Sequence, residues 1–256
     1  TLTKEPEANY SKEIVFGEFH NKTKNYFSGP KSELPEESGG WCDYMVELEF
    51  FRSMPEGIRK DAWFLTKVTM TGQERNPETG RYPLLDWDDP ATNQKHPYWK
   101  KNIESSDWVF NYNDGYYETK GISSASGKTR MIFRYADILL LYAEAVAYGS
   151  KNIDDLAFDC MWRVQKRAGV PLISKDVTKA YFQKAVLDER RWETAGMEHS
   201  CMGRFFTMQR HEILHLQKNY RDAAELSLNP NLTLSEEFYY FPIPDNELLI
   251  VPGLKD

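Results

Sequence analysis

The sequence predicts a mainly α-helical protein that also has an irregular, loop-rich region and a few short strands. Residues 134–169 carry two successive helical patterns joined by a short turn, and residues 179–195 carry a third, strongly charged one. Residues 82–117 differ from both, because aromatic side chains are interleaved there with Asn and Asp and no long helical spacing occurs. We expect the helices to form a scaffold that presents the aromatic segment.

The helix pair at residues 134–169 is the strongest pattern in the chain. Its first helix is apolar on nearly every side, which is typical of a buried helix. Gly149 ends that helix, and Asn152 is expected to cap the next one, with Asp154 favoured in the first turn by the helix dipole. Gly169 ends the second helix. The apolar residues of the first helix, which is predicted to be buried on nearly all sides, are Ile138, Leu139, Tyr142, Ala143 and Val146, with Leu140, Leu141 and Ala147 beside them. In the second helix, Leu156, Cys160, Val164 and Ala168 recur every four residues.

Short strands and turns are predicted ahead of the helix pair. Residues 12–20 and 63–70 are rich in β-forming side chains and predict strands, whereas residues 41–51 predict a short helix. Residues 108–120 contain two runs, the first clearly alternating, around an Asn-Asp-Gly turn, which predicts a β-hairpin. The connecting segments at residues 22–40 and 76–80 are expected to be a loop and a turn.

The third helix, at residues 179–195, is predicted to begin at an N-cap formed by Ser174, Asp176 or Thr178. Charged side chains on one side of it recur at a spacing of three and four residues. They are expected to form ion pairs within the helix or with neighbouring helices. This charged side consists of Asp188, Glu189, Arg190, Arg191 and Glu193.

The C-terminal segment is predicted to contain less regular structure. Residues 203–226 predict one further helix, or two helices with a break near Asn219. Residues 237–256 contain three prolines, and a proline interrupts a helix because it lacks the backbone N–H group that the helix interior requires. We therefore expect the tail to follow an extended path along the surface of the helices.

Composition and charge argue against several classes of function. The 256 residues carry a formal net charge of -7 without a basic stretch, which argues against nucleic-acid binding. No run of 18 apolar residues predicts a membrane-spanning helix. The chain has no initiator Met or signal peptide, so we expect a mature or truncated fragment whose targeting segment lies outside it. The widely separated Cys42, Cys160 and Cys201 lack metal or redox spacing and are interpreted as structural thiols.

The aromatic segment at residues 82–117 is the candidate ligand-binding region. An aromatic ring can stack on the apolar C–H face of a pyranose, and Asn or Asp side chains can hydrogen-bond the sugar hydroxyls. This combination indicates a carbohydrate-binding surface. The alternative is that the rings fill an irregular core and the polar groups form turns. The candidate glycan-binding residues are Trp87, Tyr98, Trp99, Trp108, Asn111, Tyr112 and Asn113.

One short motif is typical of a catalytic metal site. Residues 211–215 match HExxH, which on a helix places two imidazoles on one face beside the general base of a zinc peptidase. A third ligand is needed, and no further His follows His215 in the sequence. Glu236 or Glu237 is the remaining choice, although both lie in a predicted loop. The simpler interpretation is a partly solvated helix whose histidines happen to align, so neither a metal ion nor a cofactor is predicted.

Five short motifs occur in order along the second half of the chain. They are RYADILLLYAEA (134–145), RVQKRAGVP (163–171), DERRWE (188–193), RFFTMQR (204–210) and YYFPIPDNEL (239–248). In this order and spacing they resemble the C-terminal half of the SusD/RagB family, the outer-membrane nutrient-binding lipoproteins of glycan-utilisation systems. Residues 12–20 and 58–61 resemble the family more loosely.

The chain departs from the family pattern in three respects. Thr207 stands where the family usually has an Asp, and residues 196–203 form a longer link than is usual. The family's N-terminal half, with its lipid-anchored Cys and several helical repeats, has no counterpart in these residues. We therefore interpret the chain as the C-terminal portion of a longer protein and as a single SusD/RagB-like domain. Residues 1–129 would be its loop-rich ligand-binding region, and residues 130–256 its helical scaffold and extended tail.

The resemblance implies a mainly α fold of TPR-like helix pairs, without catalysis. It implies a place on the external face of the outer membrane, through a lipid anchor outside this chain. The implied ligand is an oligo- or polysaccharide, and the implied partner is a SusC-like TonB-dependent transporter. Two alternatives stay open: a zinc metallopeptidase that uses residues 211–215, and a TPR-like module that binds peptides.

Overall fold

A computed structural model of the chain describes residues 11–20, 27–28, 31–101, 103, 108–119, 125–127, 129–196, 198–216, 221–228, 243–251 and 253. The chain separates into two compact units, Thr1–Arg204 and Phe205–Asp256. Its described helices are α1 (Leu48–Ser53), α2 (Ile58–Trp63), α3 (Tyr135–Tyr148), α4 (Asp155–Ala168), α5 (Lys179–Thr194), α6 (Glu198–Arg210), α7 (Ala223–Leu228) and α8 (Asp245–Ile250). The prediction of a mainly helical fold is confirmed.

The strands of the described residues are short and pair only in twos, always antiparallel. The pairs are β1 (Ile14–Glu18) with β10 (Arg130–Arg134), β2 (Phe27–Ser28) with β9 (Ala125–Ser126), β3 (Phe64–Leu65) with β6 (Tyr98–Trp99), β4 (Lys67–Thr69) with β5 (Leu84–Asp86), and β7 (Trp108–Phe110) with β8 (Tyr117–Thr119). The last pair is the predicted hairpin, in which Phe110 lies opposite Tyr117. These ribbons build the loop-rich region, which the sequence also predicted.

Helices α3, α4 and α5 pack around one apolar core. The Asp154 side chain caps α4 by accepting a hydrogen bond from the Ala157 N–H at 2.8 Å, so the prediction of Asn152 as the cap is wrong. Thr178, one of the three predicted caps of α5, accepts a hydrogen bond from the Tyr181 N–H at 3.2 Å. Gly169 ends α4 in the left-handed conformation, as predicted.

Helix α3 is buried on one face only, and not on nearly all sides as predicted. Three alanines, one leucine and one glutamate form this face, namely Ala136, Leu140, Ala143, Glu144 and Ala147. Ile138 and Tyr142, which were predicted to be buried, are exposed, and so is Leu156 at the start of α4. A helix that is apolar on all sides offers no contrast from which to choose a face. Alanines at the contact let the neighbouring helices approach closely, and this decides which side is buried.

Two predicted elements of the N-terminal region are shorter or broken. Residues 63–70 do not form one strand, because α2 ends at Trp63 and Thr66 separates β3 from β4. The predicted helix at residues 41–51 begins only at Leu48. The predicted loop at residues 22–40 contains a short 3-10 helix, Glu36–Ser38, while residues 21–26 and 29–30 lie outside the described residues.

The C-terminal segment from residue 198 onward differs from the sequence prediction at its helix boundaries. Helix α6 begins at Glu198, earlier than expected, and ends at Arg210. Asn219, near which a break was predicted, lies outside the described residues, as do residues 229–242. Residues 245–250 form α8, so the prediction of an extended tail is wrong there. Pro244 precedes this helix as its N-cap, a place where the missing N–H group costs no intrahelical hydrogen bond.

A buried cluster of charges joins α2, α4 and α5 to the start of α3. Glu193 accepts hydrogen bonds from the guanidinium groups of Arg134 at 2.9 Å, Arg167 at 2.5 Å and Arg59 at 3.1 Å. The same Nη1 atom of Arg59 also donates to Glu189 at 2.5 Å. The prediction that the charged side of α5 forms ion pairs is confirmed.

Candidate functional site

Three of the candidate sugar-binding aromatics lie in the core. Tyr98 and Trp108 pack in an apolar cluster with Tyr117, and Trp99 packs in a second cluster with Phe64. All these side chains are buried, so none presents a ring face to a ligand. Tyr98, Trp99 and Trp108 thus have the packing role that was the alternative interpretation of the aromatic segment. The reason is strand pairing: Tyr98 and Trp99 form β6, and Trp108 begins β7.

Trp99 is held especially tightly by the backbone at the end of α5. A Cβ atom placed on Gly196 would lie 2.4 Å from two atoms of the Trp99 indole, which is closer than van der Waals contact allows. Phe64 and Phe50 pack their rings on Trp99 at centroid distances of 5.2 and 6.4 Å. Substitution of Trp99 would therefore report on folding and not on ligand binding.

Trp87 lies in an intermediate position, partly buried beside the aromatic core. Its indole packs edge-on against Phe51 with ring centroids 5.9 Å apart. The backbone around it is fixed, because the Trp87 N–H donates to the Thr66 carbonyl at 3.1 Å and the Thr92 hydroxyl donates to the Trp87 carbonyl at 3.0 Å. The part of the indole that stays accessible keeps Trp87 a candidate contact.

The hairpin turn between β7 and β8 is rigidly constructed. The Asn111 side-chain oxygen accepts a hydrogen bond from the Asn113 N–H at 2.9 Å, and the Asn111 carbonyl accepts one from the Gly115 N–H at 2.9 Å. Asp114 accepts a hydrogen bond from the Tyr116 N–H at 3.0 Å. Gly115 adopts a positive φ of 74°, which glycine tolerates best. Asn111 thus serves the turn, whereas the Asn113 side chain is exposed.

Tyr112 is the most exposed aromatic residue of this turn, with 80% of its surface accessible. Its ring packs edge-on against Phe110, with centroids 4.7 Å apart. The Lys100 ammonium lies 5.2 Å from the Tyr112 centroid and 4.2 Å from the Phe110 centroid, which is the geometry of a cation–π contact. Tyr112 is therefore an aromatic platform whose position is set from below by Phe110 and Lys100.

Ion pairs stabilise the strand side of the hairpin. Arg75 forms a two-pronged pair with Glu118 at 2.8 and 3.0 Å, and its guanidinium also stacks on the Tyr82 ring at 3.9 Å. The hydrogen bonds from Arg75, followed by one from the Tyr116 hydroxyl, lower the pKa of Glu118 below its usual range. The hairpin is thereby fixed to the neighbouring residues 75–82.

Sequence reasoning missed Lys100 as a component of this surface. A single lysine beside a short strand carries no recognisable signal, and its place between Phe110 and Tyr112 arises only when β6 and β7 are folded. Phe110 belonged to the aromatic segment, but its alternation with Trp108 showed only that the two side chains share a face. Their rings do pack together, 5.0 Å apart.

The HExxH sequence at residues 211–215 does not form the predicted helical motif. Helix α6 ends at Arg210, Glu212 adopts a left-handed φ of 55°, and His215 lies in a separate 3-10 turn. The two histidines are therefore not one turn apart on a continuous helix. Within the described part of the chain, no group of three or more His, Cys, Asp or Glu residues is placed to hold a metal ion. Glu236 and Glu237 lie outside it.

The thiols of Cys42 and Cys160 are both free. Burial raises the pKa of each above its ordinary value of 9.0, so both are protonated at neutral pH. Among the residues that the structure describes, no helix is both long and apolar enough to cross a membrane.

Comparison with known proteins places this helical scaffold and its loop-rich region in a defined class. The chain belongs to the SusD family, whose sequence model matches residues 12–256. This confirms the resemblance seen in the five motifs. No curated protein sequence matches the chain.

Solved structures share the fold. A SusD superfamily protein from Parabacteroides distasonis is 18% identical, with a TM-score of 0.69, and the match covers 98% of this chain and 50% of that one. Surface glycan-binding protein A from Bacteroides uniformis is 20% identical, with a TM-score of 0.58, over 97% of this chain and 49% of that one. Surface glycan-binding protein A from Bacteroides thetaiotaomicron, in complex with laminarihexaose, is 20% identical, with a TM-score of 0.59, over 97% of this chain and 52% of that one. This chain thus spans about half the length of these proteins.

Proposed function

We propose that this chain is part of a non-catalytic glycan-binding protein of an outer-membrane polysaccharide uptake system. The observation that carries the proposal is the exposed Tyr112 ring on a rigid turn between two asparagines. A pyranose can stack on such a ring, and the exposed Asn113 amide can donate to and accept from its hydroxyl groups. Because the turn is held by its own hydrogen bonds, binding costs little ordering of the protein.

Membership of the SusD family supports the class of ligand. A structural relative with the same fold forms a complex with laminarihexaose. The proposed location is the external face of the outer membrane, with a lipid anchor outside this chain. The proposed partner is a SusC-like TonB-dependent transporter, which would receive the oligosaccharide and should co-purify with the tagged full-length protein from solubilised outer membranes.

A glycan array followed by calorimetry tests the proposal. The protein is expected to bind at least one oligosaccharide without cleaving it. Tyr112→Ala is expected to weaken binding about five- to 100-fold, if a stacked sugar ring contributes about as much as the 1–3 kcal/mol of a base stacked on an aromatic side chain. Trp87→Ala is expected to have a smaller effect, because only part of the indole is accessible.

Tyr181→Ala is the matched control, because Tyr181 is an exposed tyrosine on α5, outside the hairpin. It should leave the affinity unchanged. Tyr112→Ala should keep the thermal midpoint of the wild-type protein, since exposed side chains contribute little to stability. If no oligosaccharide binds, or if Tyr112→Ala binds as well as the wild type, the proposed site is wrong.

A further inference from the structure

The Lys100 ammonium is unusually poor in polar partners for a lysine with a half-buried side chain. Its Nζ atom donates one hydrogen bond, to the backbone carbonyl of Asp61 at 3.2 Å. Its other contacts are the faces of the Phe110 and Tyr112 rings. An ammonium group has three donors, so most of its hydrogen-bonding capacity is unused by these groups. Burial accordingly lowers the pKa of Lys100 below its ordinary value of 10.5.

Three other cations near the hairpin, among the residues that the structure describes, are already paired with carboxylates. Arg75 is paired with Glu118 at 2.8 Å, Arg81 with Asp114 at 2.6 Å, and Lys67 with Asp86 at 2.6 Å. For Lys100, by contrast, no carboxylate within 4 Å is found among the residues that the structure describes.

The positive charge of Lys100 lies over the exposed Tyr112 ring. The distance of 5.2 Å from Nζ to the Tyr112 centroid is comparable with the width of one pyranose ring. A single sugar residue in contact with Tyr112 can thus place one of its substituents against the Lys100 ammonium. The aromatic walls that surround Nζ also keep water away on one side, which strengthens its attraction for an anion.

We propose that Lys100 and Tyr112 together select acidic glycans, in which the sugar stacks on the accessible side of Tyr112 and a uronate carboxylate or a sulfate ester that extends past the ring edge pairs with the Lys100 ammonium. This inference rests on the proposed glycan-binding function and specifies its ligand class. Carboxylate and sulfate offer the same chemistry to an ammonium group, namely a negatively charged oxygen acceptor. A neutral glucan would leave Lys100 without this partner.

The test compares acidic oligosaccharides with neutral counterparts of the same stereochemistry. The probes are uronate-containing hexasaccharides, namely oligogalacturonate, oligomannuronate and hyaluronan fragments, each beside its carboxyl-reduced form, and sulfated galactan hexamers beside their desulfated forms. Calorimetry on the wild-type protein is expected to show at least one acidic probe bound about tenfold more tightly than its neutral counterpart, as for one charge-assisted hydrogen bond. The uronate and sulfate arms show which anion the site takes.

Three variants assign the preference to Lys100. Lys100→Met keeps the apolar stem over the rings and should reduce the ratio of acidic to neutral affinity to about one, whereas Lys100→Arg should keep most of it. Lys67→Met removes the same charge close to the turn, where the Lys67 Cγ atom lies 3.2 Å from a Cβ atom built on Gly115. Because Lys67 is already paired with Asp86, this control should keep the ratio.

The outcomes separate this inference from the proposed function. Equal binding of acidic and neutral probes, a preference for neutral ones, or a ratio unchanged in Lys100→Met overturns the role of Lys100, while loss of binding in Tyr112→Ala would still uphold glycan binding. If no oligosaccharide binds at all, both proposals are wrong. A preference that Lys67→Met abolishes to the same extent as Lys100→Met would also overturn it, since the effect would then be one of general charge.

Discussion

Arginine–carboxylate pairs occur both among the helices and at the aromatic hairpin, but in opposite environments. Arg59, Glu189 and Glu193 are almost completely buried where α2 meets α5. Arg75 and Glu118 form a pair of similar length at the hairpin, yet much of both side chains is in contact with water. The same two residue types thus serve the interior of the scaffold and the surface of the hairpin.

This difference separates the part of the molecule that determines the fold from the part that can bind. A buried charge that loses its partner keeps its desolvation cost, so the helical cluster tolerates little change. An exposed pair is screened by water and contributes little to stability. The hairpin surface is therefore free to vary with the ligand, whereas the charged cluster is not.

The largest expected effect follows from removing the cation that two buried carboxylates share. Arg59→Met keeps the volume of the side-chain stem but removes the ion pair that Arg59 forms with Glu189, and it leaves Glu193 with Arg134 and Arg167. Loss of one partner from a buried pair costs about 3–5 kcal/mol. Urea unfolding at pH 7 measures this loss.

The hairpin supplies the matched comparison. Arg75→Met removes the same kind of group from an exposed pair and should leave the urea midpoint nearly unchanged. Equal midpoints for the two variants would contradict the distinction between the two regions.

The second prediction uses the opposite pKa shifts of the two glutamates. Burial by itself would raise the pKa of Glu193, but the guanidinium groups of Arg134, Arg167 and Arg59 outweigh it, and the pKa is lowered from 4.5. Burial raises the pKa of Glu189 despite Arg59. A carboxyl group with a lowered folded-state pKa stabilises the protein above its unfolded pKa, and this stability is lost as the pH falls through the folded value.

The free energy of unfolding is therefore expected to decrease as the pH is lowered below about 4.5, and Glu193 is one of the groups responsible. Glu193→Gln should make the decrease of the unfolding free energy at low pH less steep. The change in slope is at most about 1.4 kcal/mol per pH unit, which corresponds to a difference of one bound proton between the folded and unfolded states. Glu189→Gln should make the decrease steeper, because the folded protein binds that proton more tightly than the unfolded chain. Urea unfolding between pH 3 and pH 6 measures both slopes, and slopes that change in the same direction would contradict the assignment.

The sequence predicted features that depend on neighbouring residues along the chain. Thr178 begins α5 and Gly169 ends α4, each through hydrogen bonds with the adjacent turn of its own helix. The hairpin around Gly115 follows from its turn residues. Features that depend on distant segments were not predictable. Trp99 and Tyr112 belong to the same aromatic segment and could not be distinguished from the sequence. Pairing of β6 with β3 buries Trp99, whereas Tyr112 lies on an exposed turn.

The continuous helix expected through the HExxH sequence is absent for the same reason. The spacing of the two histidines gave the correct geometry only if the helix continued through Glu212. The chain instead leaves α6 after Arg210 through a left-handed residue, a change of direction that the motif itself does not encode. A motif of five residues specifies chemistry, but the backbone that would make it a site is set by the surrounding fold.

The smallest expected effect tests whether the aromatic region has a core of its own beneath the exposed surface. The Tyr117 hydroxyl lies 2.8 Å from the Ser38 Oγ atom, and Ser38 donates its single hydroxyl hydrogen to the Thr69 carbonyl at 2.8 Å. Tyr117 must therefore be the donor to Ser38. Tyr117→Phe should destabilise the protein by about 1 kcal/mol, the contribution of one buried hydrogen bond, as measured by urea unfolding. Tyr112→Phe removes the same hydroxyl from the exposed turn and should change nothing, so equal losses in the two variants would show that burial does not distinguish these rings.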